Sequence, residues 1–150
     1  MKRFVSILIA ALILVTGSIT LLGQAPPTIE KLASGTYIVY ATSPQVWRFN
    51  LDPKTMANAT VSGHFATTAG VPNNIDVFVF NEESYTKWRS PDDATKAGAK
   101  PLYASGRKTE GDLNVRLSEP GIYYLVFSNM FAYEGTKTVN ADIKVQFEKH

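Results

Sequence analysis

Few side chains in this sequence of 150 residues are of the types that catalysis needs. His64 is the single histidine inside the body of the chain, since His150 is the last residue, and cysteine is absent. The sequence contains no nucleophile elbow, zinc-protease histidine pair, phosphate-binding glycine loop or dinucleotide fingerprint. We therefore expect no catalytic residues and no enzyme activity. The alternative within this class is a small secreted hydrolase that uses His64 or a loop carboxylate.

Five acidic residues are the other candidates for chemistry, because paired carboxylates serve glycosidases and oxygen ligands hold calcium. Their spacing selects no pair, and the alternating Asp-x-Asp-x-Asp-Gly calcium pattern is missing. Charge solvated on a loop is the interpretation we favour, so we expect neither a metal site nor a cofactor. The five residues are Asp76, Glu82, Glu83, Asp92 and Asp93.

Two aromatic residues, Tyr85 and Trp88, stand three positions apart in the polar segment 81–100. We expect this segment to form a single helical turn followed by an exposed loop. Exposed tyrosine and tryptophan stack on sugar rings or anchor protein interfaces, so these two are the candidate ligand-binding residues. For Trp88 we favour a different placement, in which the ring folds over one sheet as a lid on the core.

The charge balance argues against nucleic acid and anionic membranes as main partners. The formal net charge of +2 comes from Lys2 and Arg3, and the remainder of the chain has 13 basic and 13 acidic residues. Binding to phosphates needs several clustered cations, and this sequence has no basic block.

The elements that carry these residues follow a leader. Residues 1–25 form a basic start and an apolar run, which predicts an N-terminal hydrophobic helix that is either a signal peptide or a membrane anchor. Both interpretations place the rest of the chain outside the cytoplasm, secreted or periplasmic after cleavage or held in the membrane by the helix. Residues 26–34, with Pro26 and Pro27, read as a linker.

The domain, residues 35–150, shows short β-branched and aromatic runs separated by turn residues, which is typical of an all-β sandwich or barrel. We expect an eight-stranded antiparallel β-sandwich of jelly-roll type. The alternating pattern from 138 to 147 is the clearest, with odd-numbered residues facing the core. The predicted strands are residues 37–41, 46–51, 59–66, 75–80, 102–105, 113–117, 122–127 and 138–147.

The run Gly-Ile-Tyr-Tyr-Leu-Val-Phe-Ser-Asn at residues 121–129, followed by Lys137 and Val139, resembles the C-terminal half of the GOLD (Golgi dynamics) domain. Residues 61–65, 75–77 and 102–106 fall in the order of the bacterial secreted or anchored versions. The resemblance covers roughly residues 35–147 and implies a β-sandwich with an extracytoplasmic interaction role. Eukaryotic cargo-receptor members carry a cysteine pair, whereas Val126 stands at one of those positions here, so cargo sorting is not implied.

Asn129 and Lys137 are the polar residues of this motif, and we interpret them as structural. The Asn129 side chain is expected to hydrogen-bond neighbouring backbone in the bend after a strand, and Lys137 to cap the same loop.

Together these features predict a noncatalytic extracytoplasmic interaction module that binds through loops or a sheet face. The partner is a protein or a glycan, with the membrane involved only through the N-terminal segment. The alternative function is a carbohydrate-binding module that uses Tyr85 and Trp88.

Overall fold

The structure, a computed structural model, describes residues 25–149. The elements in chain order are β1 (Thr28–Tyr40), β2 (Gln45–Leu51), β3 (Met56–Ala69), β4 (Asp76–Asn81), α1 (Glu82–Arg89), α2 (Asp93–Ala97), β5 (Tyr103–Ala104), β6 (Glu110–Arg116), β7 (Gly121–Ser128) and β8 (Thr136–Lys149). The leader predicted over residues 1–25 lies outside the described residues except for Ala25. Within the described part, no helix is long and apolar enough to cross a membrane.

The strands form two antiparallel sheets of four, which confirms the predicted β-sandwich. The first sheet has the order β1-β8-β3-β6, and the second has the order β2-β7-β4-β5. Each of the eight predicted strands corresponds to one of these elements, although β5 is shorter than expected.

Strand β1 begins earlier than the sequence indicated. Thr28 already pairs with Phe147, and the ladder continues through Ser34, so most of the expected linker 26–34 is strand. The early start of β1 depends on a distant segment, because β8 extends to Lys149 and provides hydrogen-bond partners for the backbone of residues 28–34. The local sequence of these residues does not reveal that pairing.

The core lies between the sheets and follows the alternation predicted for β8. Val139, Ile143, Val145 and Phe147 are at most 4% exposed, while Asp142 points to solvent. The opposing sheet contributes the inward side chains of β4 and β7, and both strands also bury outward-facing residues such as Phe80 and Val126.

Four loops meet at one end of the sandwich, which we call the loop end: residues 41–44, 70–75, 105–109 and 129–135. Each of them connects a strand of one sheet to a strand of the other. Thr28 and Lys149, the two ends of the described strands, pair with Phe147 and Met56 at the opposite end.

The segment 81–100 forms two short helices, whereas a single turn and a loop were expected. Asn81 accepts a hydrogen bond from Ser84 N at 2.9 Å and starts α1, and Asp92 accepts from Thr95 N at 2.7 Å and starts α2. These side-chain caps satisfy backbone donors that otherwise lack partners at the start of a helix.

Candidate functional site

Tyr85 is fixed against the second sheet. Its ring stacks on Tyr124 of β7, with centroids 3.9 Å apart and planes inclined by 10°. The tyrosine is half-buried, and desolvation raises the pKa of its hydroxyl. One face of the ring is therefore occupied by a residue of the same chain.

Trp88 lies one helical turn further along α1 and covers the outer face of the same sheet. Its ring packs against Phe78 at 5.8 Å and Phe80 at 5.5 Å, and Phe80 is fully buried as a result. Trp88 therefore lies over a sheet, as predicted. However, the ring covers the outer face of that sheet and not the core between the two sheets. Trp88 itself stays partly exposed.

A groove of about 260 Å³ opens beside this tryptophan, and we call it the Trp88 groove. Phe78, Trp88 and Phe131 supply aromatic surface, and polar groups come from Asp76, Lys96 and Ser128. Asp76 and Ser128 are direct cross-strand partners, so both side chains leave the same face of the sheet.

The carboxylate of Asp76 has an unusual environment. Partial burial raises the pKa of Asp76, against a smaller lowering by the positive charge of Arg107. Arg107 lies over the ring of Phe131, 4.5 Å from its centroid. Among the described residues, no hydrogen bond or ion pair reaches this carboxylate.

Asn129 and Lys137 are both buried, with 0% and 1% exposure. Lys137 donates a hydrogen bond to the carbonyl oxygen of Pro72, so it fastens the loop 70–75 and not the loop 129–135 that we expected. Alternation along β8 explains the difference, because Lys137 points inward together with Val139.

The Asn129 side chain also departs from expectation. Neither its Oδ1 nor its Nδ2 has a hydrogen-bond partner among the described residues, and the bend is closed instead by its backbone carbonyl, which accepts from Ala132 N at 3.0 Å. Thr67 Oγ1 and Asn74 Oδ1 are buried without partners as well. These residues and Lys137 form a polar layer that closes the core at the loop end.

His64 lies on the outer face of the first sheet, where its Nδ1 is 2.8 Å from Asp112 Oδ1. The two side chains are 53% and 85% exposed, and Asp142 faces His64 from the neighbouring strand. A histidine with an orienting carboxylate can serve as a base. No described hydrogen bond joins the ring to a hydroxyl nucleophile.

The remaining acidic candidates have local structural partners. Glu83 pairs with Lys87 at 2.5 Å, Asp93 lies 4.0 Å from Lys96, and Asp92 caps α2. Glu82 lies in the first turn of α1. Within residues 25–149, no group of three acidic or histidine side chains is placed to hold a metal ion.

Sequence reasoning missed three exposed apolar side chains in the loops of the loop end. Val71 is 96% exposed, Tyr133 is fully exposed and Met130 is 46% exposed. A signal existed for Val71, because a valine between Gly70 and Pro72 lies in a turn, where its side chain has no sheet to pack on.

Comparison with known proteins gives little direct guidance. No family model and no curated protein matches the sequence. One solved neighbour is a chain from the structure of Triatoma virus, which aligns over 98% of this chain and 77% of its own length, with 11% sequence identity and a TM-score of 0.43. That likeness is too distant to carry an argument about this chain.

Proposed function

We propose that this chain is a noncatalytic extracytoplasmic interaction module that binds a protein partner with its loop end. The observation that carries the proposal is the exposure of Val71 and Tyr133, which project from two loops of the same end. Exposed aromatic and aliphatic side chains are the groups that become buried anchors of protein interfaces. Scattered single apolar residues need no explanation, but two almost fully exposed ones at one end, with the exposed Met130 in the same loop as Tyr133, suggest a docking surface.

The polar layer beneath these loops supports the same use. Lys137 ties the loop 70–75 to strand β8, and Ala41 N donates to the carbonyl of Gly135 at 3.2 Å. Loops fastened in this way lose little conformational entropy on binding, which favours affinity.

The position of the leader also fits. Strand β1 starts at the end opposite to the loops and runs for 13 residues, roughly 40 Å at the usual rise per residue. With residues 1–25 as a membrane anchor, the loop end is at the opposite end of β1 from the point of membrane attachment.

The jelly-roll and GOLD-like assignments belong to the proposal too. The strand order β1-β8-β3-β6 facing β2-β7-β4-β5, with every loop-end connection crossing between sheets, supports a jelly-roll topology. The burial of Asn129 and Lys137 supports a structural reason for the motif that resembles the GOLD family.

The test is an affinity capture of proteins from the membrane fraction. It compares three forms of the full chain: the wild type, the double variant Val71→Ser/Tyr133→Ser and the single variant Ile29→Ser. Ile29 is 54% exposed at the opposite end of the sandwich, so its variant is a control that removes exposed apolar surface away from the loop end. We expect the same protein to be enriched by the wild type and by Ile29→Ser and to be lost with the double variant. Equal enrichment by all three chains would refute binding through the loop end.

A further inference from the structure

We infer that the Trp88 groove is a second binding site, adjacent to the loop end and lined in part by Met130 and Phe131 of loop 129–135, and that it takes one uncharged pyranose sugar ring. The juxtaposition behind this inference is a partly exposed tryptophan, two phenylalanine rings and a carboxylate that has no hydrogen bond or ion pair among the described residues, all around one small opening.

The shape sets the size of the ligand. The groove measures about 260 Å³, which is near the lower limit of roughly 300 Å³ for small-molecule pockets. Phe78 supports Trp88 from below at 5.8 Å, so the tryptophan ring is held in place before any ligand arrives. A rigid aromatic surface of this kind matches the apolar C–H face of a sugar ring.

The hydrogen-bonding groups set its chemistry. Asp76 is a half-buried carboxylate whose oxygens can accept hydrogen bonds. The Lys96 ammonium lies 4.0 Å from Asp93, which is too long for a hydrogen bond, so its donors are available to a ligand. A sugar presents vicinal hydroxyls that both donate and accept, so it can serve Asp76 and Lys96 at the same time.

The charges around the groove favour an uncharged ligand. Arg107 acts electrostatically on Asp76, and Lys96 faces Asp93, so two positive groups balance two negative groups around the groove. A cationic ligand would meet Arg107 and Lys96, and an anionic one would meet the carboxylate of Asp76. An uncharged ligand with an apolar face meets neither penalty.

The two tryptophans allow a direct experiment on the full chain. Trp88 lines the groove, while Trp47 packs on the core side of β2 against Phe127, 4.9 Å away. With ¹⁵N-labelled tryptophan, the indole N–H signal of Trp88 reports on the groove, and that of Trp47 is an internal reference. The probes are the methyl glycosides of glucose, mannose and galactose, each compared with glucosamine and glucuronate.

We expect at least one neutral glycoside to shift the Trp88 signal saturably, with a Kd on the order of 10 mM or below, and to leave Trp47 unchanged. Asp76→Asn is expected to weaken this binding about tenfold, since it removes a charge-assisted acceptor. Asp112→Asn, the same change on the opposite sheet, should leave the affinity unaltered.

Three outcomes would overturn the inference. They are no saturable Trp88 shift with any neutral glycoside, parallel shifts of both indoles, or full affinity in Asp76→Asn. A protein partner captured through the loop end would survive each of these results, so the two proposals fail independently.

Discussion

The rings of Tyr85 and Tyr124 lie face to face, 3.9 Å apart, and this contact fastens helix α1 to the second sheet. Glu83 and Lys87 add an ion pair along the helix, and Asn81 caps its start. An isolated helix of eight residues is unstable in water, so its packing on the sheet decides whether it forms. The position of Trp88, and with it the groove, depends on this attachment.

Replacing Tyr85 by alanine should therefore destabilise the domain. The loss of the stacked ring is expected to lower the free energy of unfolding by about 1–3 kcal/mol, because a half-buried aromatic pair is removed. Urea denaturation measures the change. Tyr133→Ala is the control, since a fully exposed ring without packing should cost less than about 0.5 kcal/mol. Equal effects of the two variants would contradict the role of the stack.

Gly63→Ala should be among the most damaging single changes in the first sheet. Gly63 has a φ of +150°, and a methyl group there would lie 2.7 Å from the Cα of Ile143 on the neighbouring strand β8. The clash is with backbone, so we expect a loss of more than about 3 kcal/mol or failure to fold.

Gly106→Ala separates backbone strain from crowding. Gly106 has a φ of +63°, but no atom lies within 4 Å of the added methyl group. Its substitution should cost only about 1–2 kcal/mol. Thermal unfolding of the two variants side by side measures the difference, and similar melting temperatures would argue against the close approach of β3 and β8.

The stability of the domain should rise with pH on the alkaline side because of Lys137. Burial lowers the pKa of the Lys137 ammonium, so between its folded and unfolded pKa values the unfolded chain binds more protons than the folded one. Stability therefore increases as pH rises through that interval. Lys137→Met should remove this increase, and Pro72 O would still accept from Asn74 N at 2.9 Å.

Urea unfolding from about pH 7 to about pH 9 checks the prediction, because this interval ends about one unit below the ordinary tyrosine pKa. Lys54→Met, at an exposed position, is the control and should keep the slope of the wild type. Parallel curves for wild type and Lys137→Met would show that the burial of this amine carries no cost.

Asp76→Asn should be more stable than the wild type at neutral pH. Desolvation raises the pKa of Asp76, so between the unfolded value of 3.8 and the folded value the folded state binds more protons, and stability falls as pH rises. The advantage of the variant should shrink towards about pH 3, where the carboxyl is protonated in both states. A constant difference across pH would contradict this account. A carboxylate that costs stability is typical of a binding site.

Much of the architecture was accessible from local pattern. Alternation identified β8 and its buried face, whereas the caps that Asn81 and Asp92 provide for α1 and α2 were not predicted. Strand β1 was misjudged over 28–34 because its partner is more than 100 residues away in β8.

The site was less accessible. The sequence analysis recognised Tyr85 and Trp88 as a pair. It did not predict which residues they contact, because Phe78, Phe80 and Tyr124 lie on strands β4 and β7. Lysine is rarely buried, so nothing in the neighbourhood of Lys137 indicated that it would reach Pro72.

The most direct test of the proposed function is site-specific photo-cross-linking in the producing cell. A photoreactive phenylalanine derivative replaces Tyr133 in one full chain and Ile29 in another, both at exposed positions but at opposite ends of the sandwich. We predict one discrete covalent protein adduct from position 133 and none from position 29. Adducts of equal yield from both positions, or none from position 133, would contradict the assignment of the loop end as the binding surface.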